Sequence, residues 1–236
     1  MIRYIKYMAV LLGALVLWNG CTKEDEYKKY IEGGERVYAG RPDSLHIHSG
    51  KNRAMLSWLL IADPKIVSSK IRWNNGKDSL LVPVTRTSGI DTIEVMIGNL
   101  PEGTYNFDVT NYDKLGNVSV PRYISGKTYG EKYESFLFNR GIRVTSKIMK
   151  GPEEFNLMIV WNEYVADLKD FMVATVVSYI DIFGVPHQVK VDAKSNVPTI
   201  LPDFKAGESF SYRSLYLPDS LAIDTFATRP STVKID

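Results

Sequence analysis

Three histidines and a single cysteine are the side chains of this chain most often found at metal and nucleophilic sites. His46 and His48 alternate along a predicted first strand and project from one face, a spacing that can chelate a metal. Two ligands do not make a site, and His187 is the only other histidine, so neither a metal nor a cofactor is predicted. No Gly-x-Ser-x-Gly elbow is present, and no pair among the 27 acids stands out by spacing as the two carboxylates of a glycosidase. Asp63, Asp78, Asp91 and Asp113 fall near turns, where aspartate caps backbone groups. Phosphate loops are absent, and Asp113 to Asn117 is too short for a calcium loop. No catalytic residue is predicted. What remains is aromatic: Trp73, Tyr112 and Tyr216, with Tyr123 and Tyr179, lie near strand ends where a ring can stack on a sugar. Most aromatic residues fill cores instead, and Trp58 and Trp161 are assigned there.

The cysteine points elsewhere. Arg3 and Lys6 precede an uncharged apolar stretch, Met8 to Trp18, which as a helix rises about 16 Å and falls short of a bilayer core of about 30 Å. Residues 1–20 therefore read as a signal peptide. Gly20 before Cys21 is the arrangement at which lipoprotein signal peptidase cleaves, although Trp18 and Asn19 depart from the strict motif. Cys21 is the predicted lipidation site. The run Lys23-Glu24-Asp25-Glu26 resembles the acidic export signal of Bacteroidota surface lipoproteins. That resemblance implies an outer-membrane, lipid-anchored protein facing the cell exterior.

Charge excludes one class of partner. Removing residues 1–20 takes two cations from the 29 and leaves 27, equal to the 27 acids. A balanced chain gives no support for nucleic acid as partner, because phosphate binding needs a basic surface.

The elements that must carry these residues are strands. After a charged tether at 21–40, short β-type runs alternate with turn residues: RAMLSWLL (53–60), KIRW (70–73) before Asn74-Asn75-Gly76, SLLVPV (79–84), TIEVMI (92–97) and YNFDVTNY (105–112). Tyr105, Phe107 and Val109 share one face, and Asn106, Asp108 and Thr110 the other. Tyr105 follows Leu100-Pro101-Glu102-Gly103-Thr104, the setting of the tyrosine corner in Greek-key sandwiches. The second half repeats the order: FNLMIVW (155–161), then VATVVSYIDIFGVPHQVKV (173–191), then the long aromatic segment 201–226. The expectation is all-β, two tandem sandwiches of about 85–100 residues each, at 41–130 and 131–236, joined near the irregular segment Gly130–Gly141.

The segments KKYIEGGERVYAGRPDSL, GKNRAMLSWLL, IRWNNGKDS and YRSLYLPDSLAIDTF, in this order, resemble the Bacteroidota lipoprotein family called domain of unknown function 4998, over roughly residues 27 to 228. The resemblance implies fibronectin-type-III-like modules on surface lipoproteins, often beside glycan-import systems. It carries over no catalytic residue.

Three functions are consistent with this sequence. The first is a non-catalytic surface lipoprotein that binds glycan or assists glycan import. The second is a spacer or adhesion module that holds a protein partner. The third is a glycan-active enzyme with an unrecognised carboxylate pair. An aromatic row in a concavity favours the first, a flat apolar patch the second, and a cleft with two facing acids the third.

Overall fold

The computed structural model describes residues 37–152, 154–163 and 171–235. Cys21, the Lys23 to Glu26 run, the signal peptide and most of the tether lie outside them. Ala39–Asp236 make one compact unit, and within it are two β-sandwiches. No helix among the described residues is long and apolar enough to cross a membrane.

Alternating apolar residues build the first sandwich. Its strands are β1 (Asp43–Ser49), β2 (Ala54–Leu60), β3 (Ile66–Trp73), β4 (Asp78–Pro83), β5 (Asp91–Ile97), β6 (Gly103–Asp113) and β7 (Arg122–Thr128). In β2 every second residue is buried, from Ala54 to Leu60, and Trp58 is only 1% exposed. A sheet ordered β1-β2-β5 faces one ordered β4-β3-β6-β7. Leu56, Trp58, Ile71, Phe107 and Val109 fill the space between them.

The second sandwich repeats this plan with β8 (Ile142–Met149), β9 (Phe155–Trp161), β10 (Phe171–Ile180), β11 (Pro186–Asp192), β12 (Thr199–Phe204), β13 (Ser209–Leu217), β14 (Phe226–Ala227) and β15 (Ser231–Lys234). Here β12-β9-β8 faces β11-β10-β13, and the last strand is split, with β14 and β15 both pairing with β13. Its core is Phe155, Leu157, Ile159, Val177, Leu201, Phe204 and Phe210. Three strands facing four in this order, twice, is the fibronectin-type-III-like arrangement.

Two local devices explain the turns. Tyr105 donates its hydroxyl to the Pro101 carbonyl at 2.9 Å, the tyrosine corner expected from its sequence setting. Asp113 and Asp181 each accept two backbone amides, two and four residues on, and so fold the turns that carry Gly116 and Gly184 at positive φ.

A polar anchor recurs inside both sandwiches. Asn111 on β6 donates its amide to Ser119 Oγ, eight residues on, and accepts Ser69 Oγ at 2.7 Å. Ser214 on β13 likewise donates its amide to Thr228 Oγ1, 14 residues on, and lies beside Thr175. All six of these side chains are buried and find hydrogen-bond partners within these groups, as buried polar groups must.

Candidate binding surface and the junction between sandwiches

The three aromatic residues singled out from sequence do not assemble. Trp73 points inward at the end of β3, its ring 6.2 Å from Phe107. Tyr112 pairs opposite Ser68 on the outer face of the same sheet. Tyr216 is in the second half, 6% exposed, with its hydroxyl donated to the Phe138 carbonyl at 2.6 Å. Its ring has no face open for stacking on a ligand. Tyr179 is also buried, stacked on His187 at 5.0 Å, while Tyr123 stands 71% exposed on β7. No row of aromatics forms in a concavity among the described residues.

His48 has partners at the junction between the sandwiches: its ring nitrogens lie 2.9 Å from Ser57 Oγ and 3.3 Å from the Leu221 carbonyl. The residues around it were not legible as a site. The β13–β14 loop, Pro218 to Thr225, reaches across to the β1–β2 loop of the first sandwich. Ser49 donates to Asp219, and Ile223 donates its amide to the Ser49 carbonyl at 2.8 Å. Asp224 accepts Arg53 through both carboxylate oxygens, at 2.5 and 2.9 Å, and the Lys51 amide at 2.8 Å. The Arg53 hydrogen bond, followed by the Lys51 amide, holds the Asp224 carboxyl below the usual carboxylate range. A Cβ on Gly50 would sit 2.7 Å from Asp224 Oδ2, so only glycine leaves room for this approach.

The linker adds an apolar lock. Tyr129 exchanges backbone hydrogen bonds with Gly50 and Asn52, and Glu102 accepts the Lys132 and Tyr133 amides at the start of the short helix α1 (Glu131–Ser135). Tyr129, Tyr133 and Phe226 then pack in edge-on and tilted pairs, with centroids 4.8 to 5.8 Å apart. Leu137, Met172, Ala193 and Tyr216 complete this cluster, which is distinct from the two sandwich cores.

An open trough begins on the outer face of the β11-β10-β13 sheet. Its first basin, about 520 Å³, is floored by Ser178, Gln188 and Ser211, with Ile180 and Pro186 at one end. A second basin of about 160 Å³ shares that floor and adds Arg213 and Pro230. A third, about 460 Å³, shares Arg213 and Pro230 and ends among Lys51, Glu131, Glu134 and Arg229 at the junction. Phe183 stands 76% exposed in the β10–β11 turn. On the opposite side of this sandwich, Val144, Ile148, Met158, Val160 and Ile200 face outward from β8, β9 and β12, a largely apolar sheet face that also carries Ser146 and Asn156.

Among the described residues no group of three or more His, Cys, Asp or Glu side chains is placed to hold a metal ion. His187 lies 2.8 Å from Asp181, but that carboxylate also accepts the Phe183 and Val185 amides and is part of the turn. The His187 hydrogen bond, with those two amides, holds Asp181 below the ordinary carboxylate range.

The sequence profile for domain of unknown function 4998 matches residues 21–226. The chain belongs to that family. No curated protein matches this DUF4998 member. Solved structures similar to it include a segment of two fibronectin type III domains from chicken tenascin, 18% identical, with 82% of this chain and 98% of that one covered at a TM-score of 0.32. The FN1–FN3 domains of chicken CNTN1 are 11% identical, with a TM-score of 0.41; 86% of this chain is covered, and it spans 66% of that one. The assignment of fold in this DUF4998 chain rests on its own strand order.

Proposed function

We propose that this DUF4998 protein is a non-catalytic spacer and adhesion module, tethered by lipid on Cys21 to the outer face of a membrane and holding its binding surfaces at a fixed distance and angle. The observation that carries this reading is the double lock at the junction: the Arg53–Asp224 pair and the Tyr129, Tyr133, Phe226 cluster. Two sandwiches on a plain linker would move independently, whereas a buried aromatic cluster and a bidentate ion pair oppose relative motion. The apolar outer face of β8, β9 and β12 supports a protein partner, since contiguous exposed apolar surface marks interaction sites. The glycan-platform reading at Trp73, Tyr112 and Tyr216 loses its geometric support, because these rings lie on separate faces and Tyr216 is buried.

Small-angle scattering on residues 22–236 tests the spacer. One narrow distribution of particle length is expected. A spread of lengths as wide as that of two domains on a flexible linker sinks the reading. Lipid attachment is tested by metabolic labelling with a fatty-acid analogue, in which label is expected on the wild-type chain and absent from Cys21→Ser. Label retained in that variant removes Cys21 as the anchor.

A further inference from the structure

We infer that the trough on the second sandwich binds an extended acidic glycan, a chain of hydroxyl-bearing units that also carries carboxylate or sulfate groups. The inference goes beyond the spacer reading and fails separately from it.

The floor is the first argument. Gln188, Ser178, Ser211 and Thr232 stand directly opposite one another across four adjacent strands. Each both donates and accepts hydrogen bonds, as a sugar hydroxyl does. Neighbouring strands lie about 4.8 Å apart, comparable to one sugar unit along an extended chain. The only side-chain bond within the row is Gln188 Nε2 to Ser178 Oγ, at a long 3.3 Å. Ser211 and Thr232 spend no hydroxyl on another described side chain.

Charge is the second argument, and the first sandwich supplies the control. On its equivalent face, Arg72 is bound to Asp108 at 2.8 Å and Asn106 accepts Ser125. On the second sandwich, Lys190, Val176 and Arg213 form the row beside the hydroxyl floor, and Arg229 lines the far basin. None of these three cations makes an ion pair among the described residues. Glu134 is engaged by Lys51, which leaves Glu131 as the one acid in the trough without such a partner. A row of hydroxyl and amide groups on a sheet face favours a hydroxyl-bearing chain over a peptide that would add as a further strand. The trough lies on a sheet face with a polar floor.

Calorimetry of residues 22–236, which contain the whole compact unit, tests this with oligogalacturonate, its methyl ester, dextran sulfate and polyglutamate. Oligogalacturonate is expected to bind, weaken as salt rises, and lose tenfold or more in affinity with Arg213→Glu and with Ser211→Trp. The methyl ester is expected to bind several-fold more weakly, and polyglutamate not at all. Both positions are on the sheet surface, so thermal melts and scattering curves should match wild type and separate loss of the site from loss of the fold or of the lock. The inference is overturned by absence of binding to both oligogalacturonate and dextran sulfate, or by affinity that neither substitution changes. Equal binding of the ester removes the acidic requirement and overturns it too. Binding of polyglutamate at the same strength reduces the trough to a basic patch and has the same consequence.

Discussion

The two sandwiches share an interior and differ in their connections. Both hold a buried polar anchor on the long strand, Asn111 in one and Ser214 in the other, each donating its amide to a hydroxyl in the irregular chain beside the final strand. The path between anchor and hydroxyl is eight residues in the first sandwich and 14 in the second. In the first, Asp113 folds the shorter path into a local turn. In the second, the longer path becomes the loop that places Asp219 and Asp224 against the neighbouring sandwich. Extra chain in one connection has therefore turned a repeated fold into a joined pair, at small entropic cost for a loop that is pinned at both ends. The outer faces differ in the same way: Arg72 is neutralised on one, while Arg213 on the other has no ion pair among the described residues.

The strongest way to break this comparison is Phe226→Ala. Phe226 is fully buried and meets Tyr129 and Tyr133 edge-on, so truncation leaves a cavity and should cost roughly 3–5 kcal/mol. A single cooperative melt in the wild type is expected to become two transitions, with the first sandwich retaining the higher midpoint. If calorimetry shows one transition of unchanged shape, the cluster does not couple the sandwiches.

A smaller effect is expected at Asp224. Its folded pKa lies below the unfolded value, so it favours the locked state fully at neutral pH and loses that contribution as pH falls through the folded value. Acidification below about pH 4, the unfolded carboxylate range, should broaden the scattering-derived length distribution. Asp224→Asn should show part of that broadening already at pH 7 and little further change on acidification. An Asp224→Asn distribution as narrow as the wild type at pH 7 would mean that the carboxylate does not hold the junction. Gly50→Ala should resemble Asp224→Asn, because its methyl group occupies the space of the carboxylate.

Much of the fold was legible from the sequence because strand signals are local. RAMLSWLL, TIEVMI and FNLMIVW coincide with β2, β5 and β9 to within a residue, since alternation along a strand reports directly which side chains face the core. The tyrosine corner was legible for the same reason. The short helix α1 was read only as an irregular stretch; five residues offer too little periodicity to register. The lock was not legible at all. Arg53 and Asp224 are separated by 171 residues, and nothing in either local sequence announces the other. Arg140 is a similar case, since its buried guanidinium donates to the carbonyls of Asn162, Asp192 and Ser195, partners that only the folded chain brings together. The hydroxyl floor was hidden too, because Ser, Gln and Thr gain meaning only when four strands set them side by side.

The smallest expected effect separates the sandwiches residue by residue. Tyr105, six residues before the Asn111 anchor on the long strand of the first sandwich, donates to the Pro101 carbonyl; six residues before Ser214 the second sandwich has Glu208, which cannot make that bond. Tyr105→Phe keeps the ring stacked near Phe107, with centroids 6.0 Å apart in the native protein, and removes only the hydroxyl. The loss should be about 1 kcal/mol, the net value of one intramolecular hydrogen bond. In denaturant titration it should lower the midpoint of the first sandwich without changing the slope, and leave the second sandwich untouched. Since the hydroxyl bond spans only four residues, it closes a corner and buries little, so a larger loss would mean that the phenol also orders the loop that receives the Thr128 hydroxyl on the same carbonyl. No loss at all would show that the second sandwich, built without the corner, forgoes nothing by its absence.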